Sequence, residues 1–402
     1  MRPPGSKSLT NRALLCAALA EGTSRLDGIL LADDTRAMLG AVAALGAQVE
    51  LDEDARAAVV TGTDPRRSQG AVVDARQSGT TLRFLLPVLG LAAVPCRLDG
   101  APQLRARPLA PQVEALQALG ATVVEDGAAG RLPLTVSGPL RGGTVELPGH
   151  LTSQFLSGLL MAGPLMAQGL RAVLTSPPVS VPYLEMTGAV MTAFGCPPDG
   201  DGWGVRPGSY RGVAYAIEPD ASAASYLWAA GALTGGSVTV EGLGRGSAQG
   251  DVAFLDVLER MGAVVERSAT ATTVRDSGVL HGVDVDVADI SDTAQTLAAV
   301  AVFADGPTRV RGIGFIRGKE TDRIAAVVTE LQRAGIDATE EEDGFTIRPG
   351  TPRPTTFATY DDHRMVMSLS VLGLRVPGVK VADPDCVAKT YPGFFDDLDR
   401  LR

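Results

Sequence analysis

Leu119-Gly120-Ala121-Thr122-Val123-Val124-Glu125 sets the pattern of this chain: a helix end, a glycine, then a Val/Thr-rich run that reads as a strand. Glycine suits the residue just past a helix, where φ turns positive and a Cβ would clash. The same step returns as Leu45-Gly46-Ala47-Gln48-Val49-Glu50 and as Met261-Gly262-Ala263-Val264-Val265-Glu266. Weaker copies are Phe194-Gly195-Cys196 and Ala334-Gly335-Ile336. These glycines lie 67 to 75 residues apart. A period of that size marks a repeated α/β unit. Five copies are visible, and a sixth is implied by a helix-like Pro392 to Arg402. Six units suggest two domains of three, divided in the Gly/Pro/Trp-marked stretch from Pro197 to Pro219.

Composition narrows the function. A length of 402 residues exceeds one ordinary domain. The net charge of −10 argues against a general nucleic-acid or anionic-membrane binder. Four scattered cysteines (16, 96, 196, 386) make neither CxxC pairs nor a disulfide framework, so reduced thiols and a cytoplasmic location are expected. The three histidines show no metal spacing. The longest apolar run, Phe84 to Cys96, is shorter than the roughly 20 residues that span a bilayer. Lys and Arg together number 36, but only Lys7, Lys319, Lys380 and Lys389 are lysine. A lysine retained in so arginine-rich a chain is a candidate for work that a fixed guanidinium cannot do.

The polar motifs open apolar helices. Pro4-Gly5-Ser6-Lys7-Ser8 precedes Leu9 to Ala20, and Gln77-Ser78-Gly79-Thr80-Thr81 precedes Leu82 to Leu86. Leu151-Thr152-Ser153-Gln154, Asp220-Ala221-Ser222 and Ser291-Asp292 stand in the same position, the last before Thr293 to Ala304. So do Lys319-Glu320-Thr321-Asp322-Arg323 and Asp361-Asp362-His363-Arg364. Capping accounts for the Ser, Thr and Asp residues, Asp220 and Asp361 among them. It does not account for Lys7, Arg12, Arg323 and Arg364, read as first-turn residues, where a cation opposes the helix dipole. Helix N-termini bind anions. The expectation is a cleft ringed by N-termini and cations that takes a substrate with several carboxylate and phosphate groups. Asp292, Glu320, Lys7 and His363 are its candidate acid/base groups.

Rival motifs fail on spacing. A P-loop needs GxxxxGK[ST] after a strand, but Ser6 separates Gly5 from Lys7. Gly242-Leu243-Gly244-Arg245-Gly246 lacks the third glycine of a dinucleotide loop. No GxSxG elbow is present.

Taken in order, PGSKSLTNRALL (4–15), SGTTLRFL (78–85), RARP (105–108), LTSQFLSGLLMAGPL (151–165), SVPYLEMT (180–187), DASAASYLWAA (220–230), GKETDRI (318–324), YDDHRMVMSLS (360–370) and KTYPGFF (389–395) resemble the 5-enolpyruvylshikimate-3-phosphate synthase family over nearly the whole chain. The resemblance implies an α/β fold: a two-domain inside-out α/β barrel of six βαβαββ-type repeats, three per domain. Residues 6–218 would form one domain. Residues 219–402 would form the other, with residues 1–5 as its remnant N-terminal segment. It implies transfer of the enolpyruvyl group of phosphoenolpyruvate to the 5-hydroxyl of shikimate 3-phosphate, with release of phosphate through a tetrahedral intermediate. It implies no metal or organic cofactor, no nucleic-acid or membrane partner, a cytoplasmic location and a monomer.

By position in the family's motifs, Asp292 matches the base for the 5-hydroxyl and Glu320 the proton donor. Lys7 matches a contact shared by both substrates and able to move protons. Lys7, Gly79, Arg107, Gln154, Arg323, Arg364 and Lys389 match the phosphoenolpyruvate site. Lys7, Ser8, Arg12, Thr152, Ser153, Gln154, Ser180, Asp292 and Lys319 match the shikimate 3-phosphate site, with Tyr183 adjacent. Lys380 reads as a surface residue. Three departures stand out: Gln77 where the family often has Asn, no amide at Phe315, and Thr152 for the usual Ser. Family members also carry a strand before the Lys7 motif, so the expectation is either a start upstream of Met1 or a bare sheet edge in the second domain. Two other readings stay open. One is the related transferase acting on UDP-N-acetylglucosamine, which uses a loop cysteine that has no counterpart here. The other is a non-catalytic anion-binding protein, for which Asp292, Glu320 and Lys7 together would be superfluous.

Overall fold

The computed structural model describes residues 1–401. Contacts divide them into two compact units, Gly5–Ile217 and Met1–Pro4 with Glu218–Arg402.

In the Gly5–Ile217 unit, three helices lie inside: α1 (Lys7–Ala18), α3 (Gly79–Leu89) and α5 (Ser153–Ala162). Each is buried almost all round, α1 even where it carries Thr10, Asn11 and Arg12. Three more helices cover them: α2 (Asp33–Ala44), α4 (Ala110–Ala118) and α6 (Val181–Ala193). The inner helices approach closely. A Cβ on Gly158 of α5 would lie 2.3 Å from the Arg83 carbonyl oxygen of α3. That carbonyl gets no bond from Pro87, which has no N–H to give. The Gln112 side-chain amide donates to it instead, at 2.7 Å.

Two four-stranded sheets share one plan. In sequence order of their strands, the first pairs parallel with the second, and the second and third both pair antiparallel with the fourth. Val72–Asp74, Cys96–Asp99, Thr122–Glu125 and Leu134–Ser137 follow it directly. In the other sheet, Thr23–Asp27, Gln48–Asp52 and Ala57–Thr61 supply the last three strands. The place of the first strand is taken by Ala214–Ala216, the last of the four in sequence, which pairs parallel with Arg25–Asp27. A third sheet joins Gly143–Leu147, Leu170–Leu174 and Gly204–Val205.

The second unit repeats the scheme. Helices α7 (Ala221–Leu233), α9 (Ala294–Ala301) and α11 (His363–Leu372) are buried along their length and touch one another pairwise. A hydroxyl ladder crosses them, Ser225 to Thr296 at 3.0 Å and Thr296 to Ser368 at 3.4 Å. Helices α8 (Phe254–Arg260), α10 (Arg323–Arg333) and α12 (Phe394–Asp399) belong to the same unit. Asp284–Asp286, Thr308–Arg311, Asp337–Glu341 and Gly344–Arg348 form a sheet on the same plan. Ser237–Glu241, Val264–Arg267 and Ala271–Arg275 form a three-stranded one.

The sheet edge expected to be bare is met at Ser237–Glu241. The Met1 amino group donates to the Thr239 carbonyl at 2.6 Å, and the Glu241 N–H donates to the Met1 carbonyl at 2.9 Å. The seven sheets among the described residues are open ladders, and none closes into a barrel. Gly46, Gly120, Gly195, Gly262 and Gly335 all have positive φ, between 86° and 103°, just past their helices. No helix among the described residues is long and apolar enough to cross a membrane.

Candidate active site

In the Gly5–Ile217 unit the polar residues gather at the N-termini of the inner helices. Ser6 caps α1, accepting from the Leu9 N–H, so Lys7 takes the first helical position. Its ammonium pairs with Asp34 at 3.3 Å. Asp34 opens α2 and is buried, and the Thr81 hydroxyl of α3 donates to its carbonyl. Ser78 caps α3, so Gly79 starts it. A Cβ there would lie 2.6 Å from one Arg107 terminal nitrogen and 3.1 Å from one of Arg83. Thr152 caps α5, followed by buried Ser153 and then Gln154, whose carbonyl oxygen accepts from Arg83 at 2.7 Å. Ser180 starts α6 in the left-handed region at φ 54° and is buried.

Arg12 stands in the second turn of α1, not the first, so the dipole argument does not reach it. Its guanidinium is 2% exposed. It donates to the Thr187 hydroxyl at 2.8 Å and to the carbonyls of Ser8 and Tyr183 at 3.0 Å each. It also lies over the Phe84 ring, 5.0 Å from the centroid. Burial pulls its pKa down to about 10, which leaves it charged at neutral pH.

In the second unit carboxylates and cations interlock. Asp362 caps α11, accepting from the Arg364 N–H at 2.9 Å. The expected cap, Asp361, sits one residue early with φ 53°. Arg323, the first residue of α10, reaches both Asp362 oxygens (2.7 and 3.2 Å), Glu320 (2.8 Å) and Asp292 (3.2 Å). Arg364 donates to the Asp292 carboxylate at 2.6 Å and to its carbonyl at 3.2 Å. Lys389 donates to Glu320 at 3.2 Å. Burial works against the charge of Arg323, but Asp362, Glu320 and Asp292 outweigh it and hold its pKa above the usual arginine value. The cations that oppose the helix dipole are thus answered by the protein's own carboxylates. Asp292 lies in a 3-10 turn, Ala288–Thr293, and α9 begins only at Ala294 and ends at Ala301, shorter than the expected run.

Three other expected residues occupy different settings. His363 is buried, its ring nitrogen 3.7 Å from Asp362. The Lys319 ammonium lies 6.0 Å from the centroid of the Phe315 ring, at the position that lacks an amide. Lys380 is exposed.

Four residues escaped the sequence reading. Asp34 belongs to none of the polar motifs, and Arg83 is only one letter inside SGTTLRFL. Ser222, noted only as part of a capping motif, bonds Asp251, which is buried and feels the charge of Asp292. Burial foremost, and then the charge of Asp292, push Asp251 up to about 7, against the pull of Ser222 and Arg364. No group of His, Cys, Asp and Glu among the described residues has the arrangement of a metal site.

Comparison with known proteins agrees across the chain. Residues 1–398 match the profile of EPSP synthase (3-phosphoshikimate 1-carboxyvinyltransferase). A 3-phosphoshikimate 1-carboxyvinyltransferase of Nostoc punctiforme is 42% identical over 98% of this chain and 93% of its own. One of Klebsiella pneumoniae is 42% identical over 99% of this chain and 95% of its own. The solved EPSP synthase of Acinetobacter baumannii superposes with a TM-score of 0.83 at 26% identity, covering 100% of this chain and 95% of that one. The enolpyruvyl transferase NikO of Streptomyces tendae, at 20% identity and a TM-score of 0.78 over 100% and 94%, shares the fold. A mixed α/β chain with this end-to-end match belongs to the EPSP synthase (3-phosphoshikimate 1-carboxyvinyltransferase) family.

Proposed function

We propose that this chain transfers the enolpyruvyl group of phosphoenolpyruvate to the 5-hydroxyl of shikimate 3-phosphate, releasing phosphate, by addition and elimination through a tetrahedral intermediate. One observation carries the residue assignment. Asp292 is held by Arg323 and Arg364, and Glu320 by Arg323 and Lys389, so the two carboxylates are joined through one shared guanidinium. An anion-binding set and an acid/base pair are therefore one network.

The chemistry needs both. The methylene carbon of phosphoenolpyruvate must gain a proton before C2 becomes electrophilic, and the attacking hydroxyl must lose one. Asp292, oriented by two guanidinium groups, accepts the hydroxyl proton. The oxygen–C2 bond forms as the methylene is protonated, giving the tetrahedral intermediate. Loss of a methyl proton and of phosphate restores the enol ether. Glu320 takes bonds from Arg323 and Lys389. Phosphoenolpyruvate brings anionic groups for those cations. As they turn to it, the hold on ionised Glu320 weakens and proton uptake is favoured. Lys7, whose ammonium is paired with Asp34, is the second candidate for that role.

The phosphoenolpyruvate contacts are Lys7, Gly79, Arg107, Gln154, Arg323, Arg364 and Lys389. Those to shikimate 3-phosphate are Lys7, Ser8, Arg12, Thr152, Ser153, Gln154, Ser180, Asp292 and Lys319. We add Arg83 to the first set, because it meets both Gln154 and the Gly79 turn.

We also read the fold as six βαβαββ-type repeats, three per domain, in an inside-out barrel. Three four-stranded sheets on one plan and six buried helices support this. The protein acts as a cytoplasmic monomer. The charge of −10 speaks against a nucleic-acid partner.

The test is phosphate release from phosphoenolpyruvate with shikimate 3-phosphate, run in parallel with UDP-N-acetylglucosamine. Release with the shikimate acceptor alone is expected. Release with the nucleotide sugar, or with neither, overturns the reading.

A further inference from the structure

Glu330 is 1% exposed, seven residues along α10 from Arg323 and on the same face of that helix. Its carboxylate accepts from the Tyr360 hydroxyl at 2.9 Å, the Ala358 N–H at 2.9 Å and Arg333 at 2.5 Å. Tyr360 and the next residue, Asp361, are both left-handed, with φ of 56° and 53°. Residues bearing a Cβ rarely adopt that region, and two in succession persist only where their surroundings over-determine them. Two side chains just past this turn, Asp362 and Arg364, belong to the candidate active site. Asp362 receives Arg323, and Arg364 reaches Asp292. One helix therefore grips the segment twice, with Glu330 before the strained turn and Arg323 after it.

We propose that Glu330 and Tyr360 are positioning residues: their hydrogen bond holds the left-handed Tyr360–Asp361 turn, which sets where Asp362 and Arg364 meet Arg323 and Asp292. Burial, and then Glu330, push the phenol up to about 12, so Tyr360 stays a donor across the neutral range. The inference rests on the reading that Arg364 and Asp292 serve the reaction.

Three variants test it by steady-state phosphate release and thermal melting. Tyr360→Phe removes one oxygen. It should lower kcat/KM for phosphoenolpyruvate about tenfold, the equivalent of one hydrogen bond to a charged group, while the melting temperature shifts little. Adding Asp361→Gly, which adopts the left-handed region freely, should restore activity to within about threefold of the unmodified enzyme. A merely structural bond would not be rescued this way. A Tyr360→Phe enzyme as active as the unmodified one overturns the proposal, and so does a loss that Asp361→Gly leaves unchanged. If Tyr360→Phe melts below the assay temperature, all variants are assayed below its melting midpoint and judged by the same two outcomes. Arg364→Ala separates the two failures. If it retains full activity, the active-site reading itself falls. If it is impaired while Tyr360→Phe is not, only the positioning role falls.

Discussion

Arg12 and Arg83, in the Gly5–Ile217 unit, spend their bonds on neutral oxygens: Thr187, two carbonyls and the Gln154 amide. Arg323 and Arg364, in the other unit, spend theirs mainly on carboxylates. In the first unit Lys7 pairs with the buried Asp34. In the second, three cations meet three acids, Asp292, Glu320 and Asp362. The arginines thus lean on neutral oxygens in one unit and on balancing carboxylates in the other. Bonds to neutral oxygens, such as those of Arg12, orient a guanidinium without cancelling its charge, which attracts an anionic substrate. Balanced charge in a low-dielectric setting fixes geometry, and removing one partner leaves the other buried and uncompensated. The first unit should therefore govern binding and the second the chemical steps.

The sharpest way to break that contrast is Asp292→Asn. It keeps shape and removes the base, so kcat should fall by at least about 100-fold while both substrates still bind by calorimetry. A normal rate would move the base elsewhere.

Arg12→Lys comes next. Three directional bonds and a ring contact cannot be kept by an ammonium, so stability should fall by about 2 kcal/mol in a denaturant melt. Unchanged stability with weakened shikimate 3-phosphate binding would make Arg12 chiefly a ligand contact instead of a brace.

Gly79→Ala puts a methyl against the tips of Arg107 and Arg83, so KM for phosphoenolpyruvate should rise several-fold with kcat nearly kept. A fall in kcat alone would blur the division between binding and chemistry.

The smallest effect concerns Asp251. Its pKa is raised to about 7, so between about pH 4, the ordinary aspartate value, and about pH 7 the folded state holds a proton that the unfolded chain has lost. Stability from this group falls as pH rises through that window. Asp251→Asn should match the unmodified protein near pH 4 and melt a few degrees higher at pH 8, by calorimetric scans. Parallel melting curves at both pH values would mean that Asp251 carries its charge without cost.

Much of the organisation is local and was legible without coordinates. A positive-φ glycine after each helix is a demand of one residue's backbone, so Gly120 and Gly262 announce their turns in any context. Caps such as Ser78 and Thr152 act within three residues. Lys7, Asp292, Glu320 and Arg364 stand in short motifs whose order along the chain carries the family. What stayed hidden depends on side chains meeting across long stretches of sequence. Arg364 and Asp292 are 72 residues apart, and Arg83 and Gln154 are 71 apart. The capping role of Asp362 over Asp361 turns on a strained backbone that nothing in the letters Asp-Asp reveals.

The sequence by itself determined the family, the repeat of helix, glycine and strand, and which residue types open each buried helix, because those are set by backbone geometry within a few residues. Only the tertiary structure decided which cations are neutralised and by which acids. Those pairings arise when helices from distant parts of the chain bring their first turns together in a medium that penalises unpaired charge.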